Sequence, residues 1–147
     1  MDAIVIEPGD ELPDTELHLR EYLGDGPLLI LFYTEANTPL CTQQLCAFRD
    51  DEEMLNELQA SVVAISADPL DEMLRFDQEH LFPFPLLTDS ELSAANAFSV
   101  VDETGKRAQR AAFVADQSGV VSLAIPFYQP NNLEQYQRVF EALGLDI

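Results

Sequence analysis

The apolar positions of this chain gather into two short unbroken runs, Leu28 to Phe32 and Ser61 to Ser66 (SVVAIS). Continuous runs of this length are the pattern of strands buried on both faces. Gly24-Asp25-Gly26-Pro27 is a turn cluster that launches the first, and Ala67-Asp68-Pro69 closes the second. Between them lies a polar stretch, Tyr33 to Thr38, with Asn37 and Pro39 as turn formers. After it Leu45, Phe48, Leu55 and Leu58 recur at roughly helical spacing, which predicts a helix running to about Ala60. Asp68 is expected as the N-cap of a second helix, with Pro69 at its first position and its end near His80. Phe82-Pro83-Phe84-Pro85 breaks that helix, Leu86-Leu87 leads to Asp89, and Glu91 to Phe98 reads as a short helix.

At the N-terminal end, Ala3 to Ile6 is a strand candidate ended by Pro8-Gly9, and Leu12-Pro13-Asp14 begins an extended piece through Leu17 and Leu19. At the other end, Ala111 to Ala115 and Val120 to Ile125 flank Asp116-Gln117-Ser118-Gly119, the spacing of an antiparallel hairpin. Pro126 to Pro130 reads as a loop, and Leu133 to Leu143 as a closing helix ended by Gly144. Two βα units followed by a hairpin and a helix describe an α/β fold, a central mixed sheet flanked by helices, consistent with a thioredoxin-like architecture. A single domain over residues 1–147 is expected, large enough to bury roughly 70% of its extended surface.

Charge narrows the range of partners. The chain carries 27 acidic residues against 7 basic ones, a formal net charge of −20. That balance argues against nucleic-acid backbones and anionic membranes as partners. It also suits a protein adapted to high salt, where carboxylate repulsion is screened within ~3 Å at 1 M. No apolar run approaches the ~20 residues of a membrane span, and MDAIVIEPGD has neither the basic nor the apolar region of a secretory signal. A reducing, cytoplasmic compartment is the expectation. There, two cysteines point to catalysis or metal binding rather than to a structural staple.

Both cysteines lie in the strand–turn–helix segment. Cys41 falls at the expected helix start and Cys46 about one and a half turns further in. Backbone N–H groups of a first helical turn lack intrahelical partners and carry partial positive charge, which favours a thiolate. A thiol with pKa ~8.5 is only about 3% ionised at pH 7, whereas one at ~6 is about 90% ionised. Thr38, three residues before Cys41, adds a hydroxyl able to donate to the sulfur or to a bound oxygen. On an ideal helix, positions five apart are separated by ~8.6 Å between Cα atoms. A disulfide needs roughly 7 Å or less, so Cys41 and Cys46 could join only if the helix unwinds locally.

These residues resemble a known family. Thr38-Pro39-Leu40-Cys41-Thr42-Gln43-Gln44-Leu45-Cys46-Ala47-Phe48-Arg49-Asp50 is similar to the active-site segment of the peroxiredoxins of AhpC/TSA type. The nearest group is the bacterioferritin-comigratory (peroxiredoxin Q) group, whose second cysteine follows the first by five. The likeness continues through Val63 to Asp68, Phe84 to Asp89 and Arg110 to Asp116, and covers about residues 5–125. It implies a thiol-dependent peroxidase acting on hydrogen peroxide and organic hydroperoxides. Cys41 would be the peroxidatic cysteine, Cys46 the resolving cysteine, Thr38 a hydroxyl partner and Arg110 a fixed cation. It further implies an intramolecular disulfide, a thioredoxin-like protein reductant, no metal or organic cofactor, and a monomer or homodimer. One position departs from the pattern: the family places Pro four residues before the Thr, and here that residue is Thr34.

Plainer readings stand beside these. Cys41 as an inert buried thiol, Cys46 as a packing residue, Thr38 as a helix cap and Arg110 as a surface ion pair are the alternatives. Arg49 is expected to pair with a nearby acid, and Tyr128 to be core, surface or site mouth. His18 and His80 lie in unrelated segments, so a Cys41/Cys46/His zinc site would require them to converge. The rival function is a non-enzymatic thioredoxin-like module that senses redox state or binds a protein. A protein disulfide oxidoreductase normally uses a C-x-x-C pair, which is missing from this sequence.

Overall fold

A computed structural model describes residues 5–146. Five strands form one sheet: β1 (Leu28–Phe32), β2 (Ser61–Ser66), β3 (Leu86–Thr88), β4 (Ala111–Ala115) and β5 (Val121–Ile125), in the order β3-β2-β1-β4-β5. β1 pairs in parallel with β2, as does β2 with β3, while β4 runs antiparallel to both β1 and β5. The hairpin turn uses Gly119 at φ 90°, a conformation that favours glycine. The helices are α1 (Pro39–Asp50), α2 (Glu52–Glu57), α3 (Leu70–His80), α4 (Ser93–Ala97) and α5 (Leu133–Ala142), with a 3₁₀ turn at Leu19–Tyr22. This is the thioredoxin-like α/β arrangement that the pattern implied.

Every residue of β1 is buried because the sheet is covered on both sides. Leu29, Leu31 and Tyr33 face a core built with Cys41, Leu45 and Phe48 of α1, Phe76 of α3, and Val139 and Phe140 of α5. Leu28, Ile30 and Phe32 face the second core, with Ala94, Ala95 and Phe98 around α4 and Leu12 and Leu19 of the N-terminal segment. The period-2 alternation of a strand produces this division. Each fully buried Leu, Ile or Phe contributes about 1.5–3 kcal/mol, so β1 anchors both layers.

Several elements differ from the sequence reading. The cysteine helix does not run unbroken to Ala60 but stops at Asp50, and α2 restarts at Glu52. The Tyr136 hydroxyl meets the Ala47 carbonyl at 3.0 Å and bonds the Asp51 carboxylate, while the Asp51 N–H turns to Phe48 O at 3.2 Å. A side chain inserted at the Ala47 carbonyl, which would otherwise accept from Asp51, accounts for the break. Asp68 does not cap α3: the N-cap residue is Pro69, and the Asp68 carboxylate bonds elsewhere. Leu86–Thr88, read only as a lead to Asp89, is an edge strand on β2.

Of the strand candidate Ala3 to Ile6, Ala3 and Ile4 lie outside the described residues. Val5 and Ile6 form no strand, although Ile6 is buried. The piece after Leu12 is tied to the sheet through a bridge between Glu11 and Val120. Among the described residues, no helix is long and apolar enough to cross a membrane.

Candidate active site

The site is built where β1 hands over to α1. Thr38 is the N-cap residue, Pro39 opens the helix, and Thr42 N–H makes the first intrahelical bond to Thr38 O at 2.9 Å. Cys41 therefore sits in the first turn, where amide groups lack intrahelical partners. Its side chain is 1% exposed. The thiol sulfur accepts from the backbone N–H of Thr34 at 3.3 Å. Thr34 stands where the family pattern has Pro, and a proline could not make this bond because it has no N–H.

The turn that aims this amide is held from several sides. Tyr33 N–H continues the sheet to Ile65 O at 3.0 Å. Ala36 N–H donates to Asp68 Oδ2 at 2.8 Å, and Ser66 Oγ donates to the same oxygen at 2.9 Å. Arg107 pairs with Glu35 at 3.1 Å, and Asn37 takes a left-handed conformation at φ 63°. Asp68 is buried, so its carboxylate is a fixed anchor rather than a loose surface acid. The Thr38 hydroxyl donates to Glu35 O at 2.8 Å. Its proton is committed there, and what it offers an incoming molecule is its lone pairs.

Arg110 arrives from the other side of the sheet. The antiparallel register sets Phe32 opposite Ala111, which brings Arg110 to the end of β1 from which the cysteine turn departs. The Arg110 carbonyl accepts from Tyr128 N–H at 2.8 Å, and its guanidinium lies 5.8 Å from the centre of the Phe127 ring. Its Nε is buried, with no hydrogen-bond partner among the described residues. The side chain lines an open groove with Leu40, Phe127, Gln129, Asn131 and Leu133. Leu40 is the residue before Cys41, so the groove passes directly beside the helix start. Tyr128 is core: it is buried and packs against Phe48 with ring centres 6.3 Å apart.

Cys46 is half-buried on α1, and both cysteines are free thiols. Burial pushes the Cys46 thiol pKa up; Arg49 acts in the opposite direction and Asp50 adds to the rise. Arg49 pairs with Asp50 at 3.0 Å, as expected of it. His80, which the sequence placed in an unrelated segment, lies with Nδ1 3.8 Å from Cys46 Sγ. Among the described residues, no group of three or more His, Cys, Asp or Glu could hold a metal ion. Sequence reasoning missed the Thr34 amide, the Asp68 anchor and His80. Only Thr34 carried a signal, as the departure from the family pattern.

The model of the AhpC/TSA family matches residues 8–124, which include Thr34, Thr38, Cys41, Cys46 and Arg110. The chain belongs to the AhpC/TSA family. Within this family it is 34% identical to peroxiredoxin Bcp of Bacillus subtilis over 130 residues, covering 79% of this chain and 82% of that one. It is 41% identical over 93 residues to a putative peroxiredoxin of Mycobacterium tuberculosis, a match that spans 61% of this chain and 60% of the relative's length. The structure superposes on crystalline peroxidoxin BcpB of M. tuberculosis with a TM-score of 0.81 at 29% identity, covering 94% of this chain and 96% of that one. These relatives place this AhpC/TSA protein with the Bcp and peroxiredoxin Q group.

Proposed function

We propose that the chain is a thiol-dependent peroxidase in which Cys41 is the nucleophile, Cys46 the resolving thiol, Arg110 the fixed cation and Thr38 a hydrogen-bond acceptor. The single observation that carries the reading is that Cys41, its sulfur held by an amide N–H, directly follows Leu40, which lines one groove with an arginine whose Nε is buried and unpartnered. Buried donors are ordinarily paired. A donor left open beside a nucleophile suits an oxygen that develops charge.

The Cys41 thiolate attacks one oxygen of a hydroperoxide and the O–O bond breaks. The other oxygen leaves as water or an alcohol after taking a proton, and Cys41 becomes a sulfenic acid. The Thr38 lone pairs can accept the hydrogen bond of the peroxide O–H, and Arg110 faces the oxygen that gains charge. Arginine suits this task because its charge is permanent and its donors are fixed in direction. α1 is continuous across Cys41 and Cys46, so its first turns must unwind before the two sulfurs can bond. A thioredoxin-like dithiol then exchanges with the disulfide and restores both thiols. No step calls on a metal or organic cofactor.

The rim of the groove is apolar: Leu40 is 37% exposed, Phe127 52% and Leu133 68%. That surface supports organic hydroperoxides as substrates alongside hydrogen peroxide. The acidic composition fits a salt-rich compartment. Stopped-flow mixing with hydrogen peroxide tests the function. The reduced protein is expected to react far faster than free cysteine, and Cys41→Ser to abolish the reaction. A rate equal to that of free cysteine would remove the peroxidase reading.

A further inference from the structure

His80 ends α3, next to the Cys46 half of α1. Its Nδ1 stands 3.8 Å from Cys46 Sγ, within reach of a sulfur hydrogen bond. Two contacts fix the ring: it meets Phe76 edge-on with centres 5.1 Å apart and lies over Phe82 at 5.6 Å. A third ties its backbone to the same helical turn as Cys46, since Arg49 donates from Nη1 to the His80 carbonyl at 2.8 Å. The imidazole is thus positioned by packing rather than by chance exposure.

We propose that His80 is a further catalytic residue of the resolving step, taking the thiol proton of Cys46 as that sulfur becomes the nucleophile. The proposal rests on Cys46 being the resolving cysteine. Attack on a sulfenic acid requires a thiolate. Burial keeps the Cys46 thiol protonated, so left to itself it supplies little thiolate at neutral pH. Histidine is the side chain whose ordinary pKa lies in the neutral range. The charged groups that act on Cys46 are Arg49 and Asp50 on α1, and the aromatic neighbours of His80 are uncharged.

The step balances. His80 Nδ1 takes the proton from Cys46 Sγ, the Cys46 sulfur attacks the Cys41 sulfur, the S–S bond forms and the S–O bond of the sulfenic acid breaks. Hydroxide leaves and becomes water with a solvent proton, while the imidazolium returns its proton to solvent. The Cys41 sulfur is reduced from sulfenic acid and the Cys46 sulfur is oxidised from thiol. Proton transfer occurs in the folded helix, before unwinding carries Cys46 away from the imidazole.

The test uses His80→Phe, which keeps a ring against Phe76 and Phe82, and His80→Gln, which keeps a polar group. In a Cys41→Ser protein Cys46 is the sole cysteine, and its alkylation rate is followed against pH. With His80 present the profile is expected to show a limb at lower pH than the ionisation of Cys46 alone would give. Both variants are expected to lose that limb and to react about tenfold more slowly at pH 7. In the two-cysteine protein, disulfide formation after one equivalent of hydrogen peroxide should slow by a similar factor, with the defect confined to this second step. Equal disulfide rates and equal pH profiles in the variants would overturn the role of His80 alone. Absence of a Cys41–Cys46 disulfide in the unsubstituted protein would instead remove the resolving role of Cys46, and that of His80 with it.

Discussion

The backbone N–H of Thr34 donates to the sulfur of Cys41 at 3.3 Å, across a turn anchored by Asp68. The donor exists because a threonine occupies a position where the family pattern has an imino acid. Thr34→Pro is expected to lower the second-order rate constant with hydrogen peroxide by about tenfold. That matches the loss of one hydrogen bond to a charged group, roughly 1.5 kcal/mol. Thr34→Ala keeps the N–H and is expected to stay within about twofold of the unsubstituted protein. Stopped-flow rates separate the two substitutions, and equal rates would show that the amide contributes nothing.

Arg110 has a buried, unpartnered Nε and lines the same groove as Leu40, the residue before Cys41. Arg110→Ala is expected to lower the peroxide rate constant by about 10²–10³, the usual cost of removing a preorganised donor to a developing oxyanion. Arg110→Lys keeps the charge but loses the fixed fork, and should recover only part of that loss. Pseudo-first-order kinetics on the reduced protein provide the check.

Burial raises the pKa of the hydroxyls of Tyr33, Tyr128 and Tyr136, and for Tyr136 the Asp51 carboxylate adds to the rise. An unfolded tyrosine ionises near pH 10. Above that pH the unfolded chain has released protons that the folded chain still holds. Stability therefore falls as pH climbs through 10 and is unaffected by these groups below it. Alkaline unfolding should coincide with a cooperative rise in tyrosinate absorbance. A gradual tyrosinate rise with the fold intact would contradict this.

Among the described residues the ion pairs are Arg49–Asp50 and Arg107–Glu35, set against a net charge of −20. Unpaired carboxylates repel one another, and salt screens that repulsion. Thermal melting followed by circular dichroism is expected to shift upward steadily with added KCl. A melting temperature that ignores salt would show that the acidic surface costs the fold nothing.

What the sequence revealed tracks the range over which each feature is decided. β1 and β2 were legible to the residue because a continuous apolar run is a local statement about burial. The hairpin and the closing helix were legible because turn spacing and helix termination are also written locally. The break at Asp51 was not, since its cause is Tyr136, 85 residues away. Asp68 satisfies every local rule for an N-cap, yet the half-buried amide of Ala36 takes its carboxylate. Cys41, Thr38 and Arg110 were singled out by their motif, and the structure gathers them at the end of β1 from which α1 departs. His80 could not be attached to Cys46 from sequence, because only the packing of α3 against α1 brings them together.

The most direct test is to treat the reduced protein with one equivalent of hydrogen peroxide and map the product by peptide mass spectrometry. The account predicts a Cys41–Cys46 disulfide within one chain, preceded by a sulfenic acid on Cys41 that a dimedone reagent traps. A lasting sulfinic acid on Cys41 with Cys46 still a free thiol would contradict it.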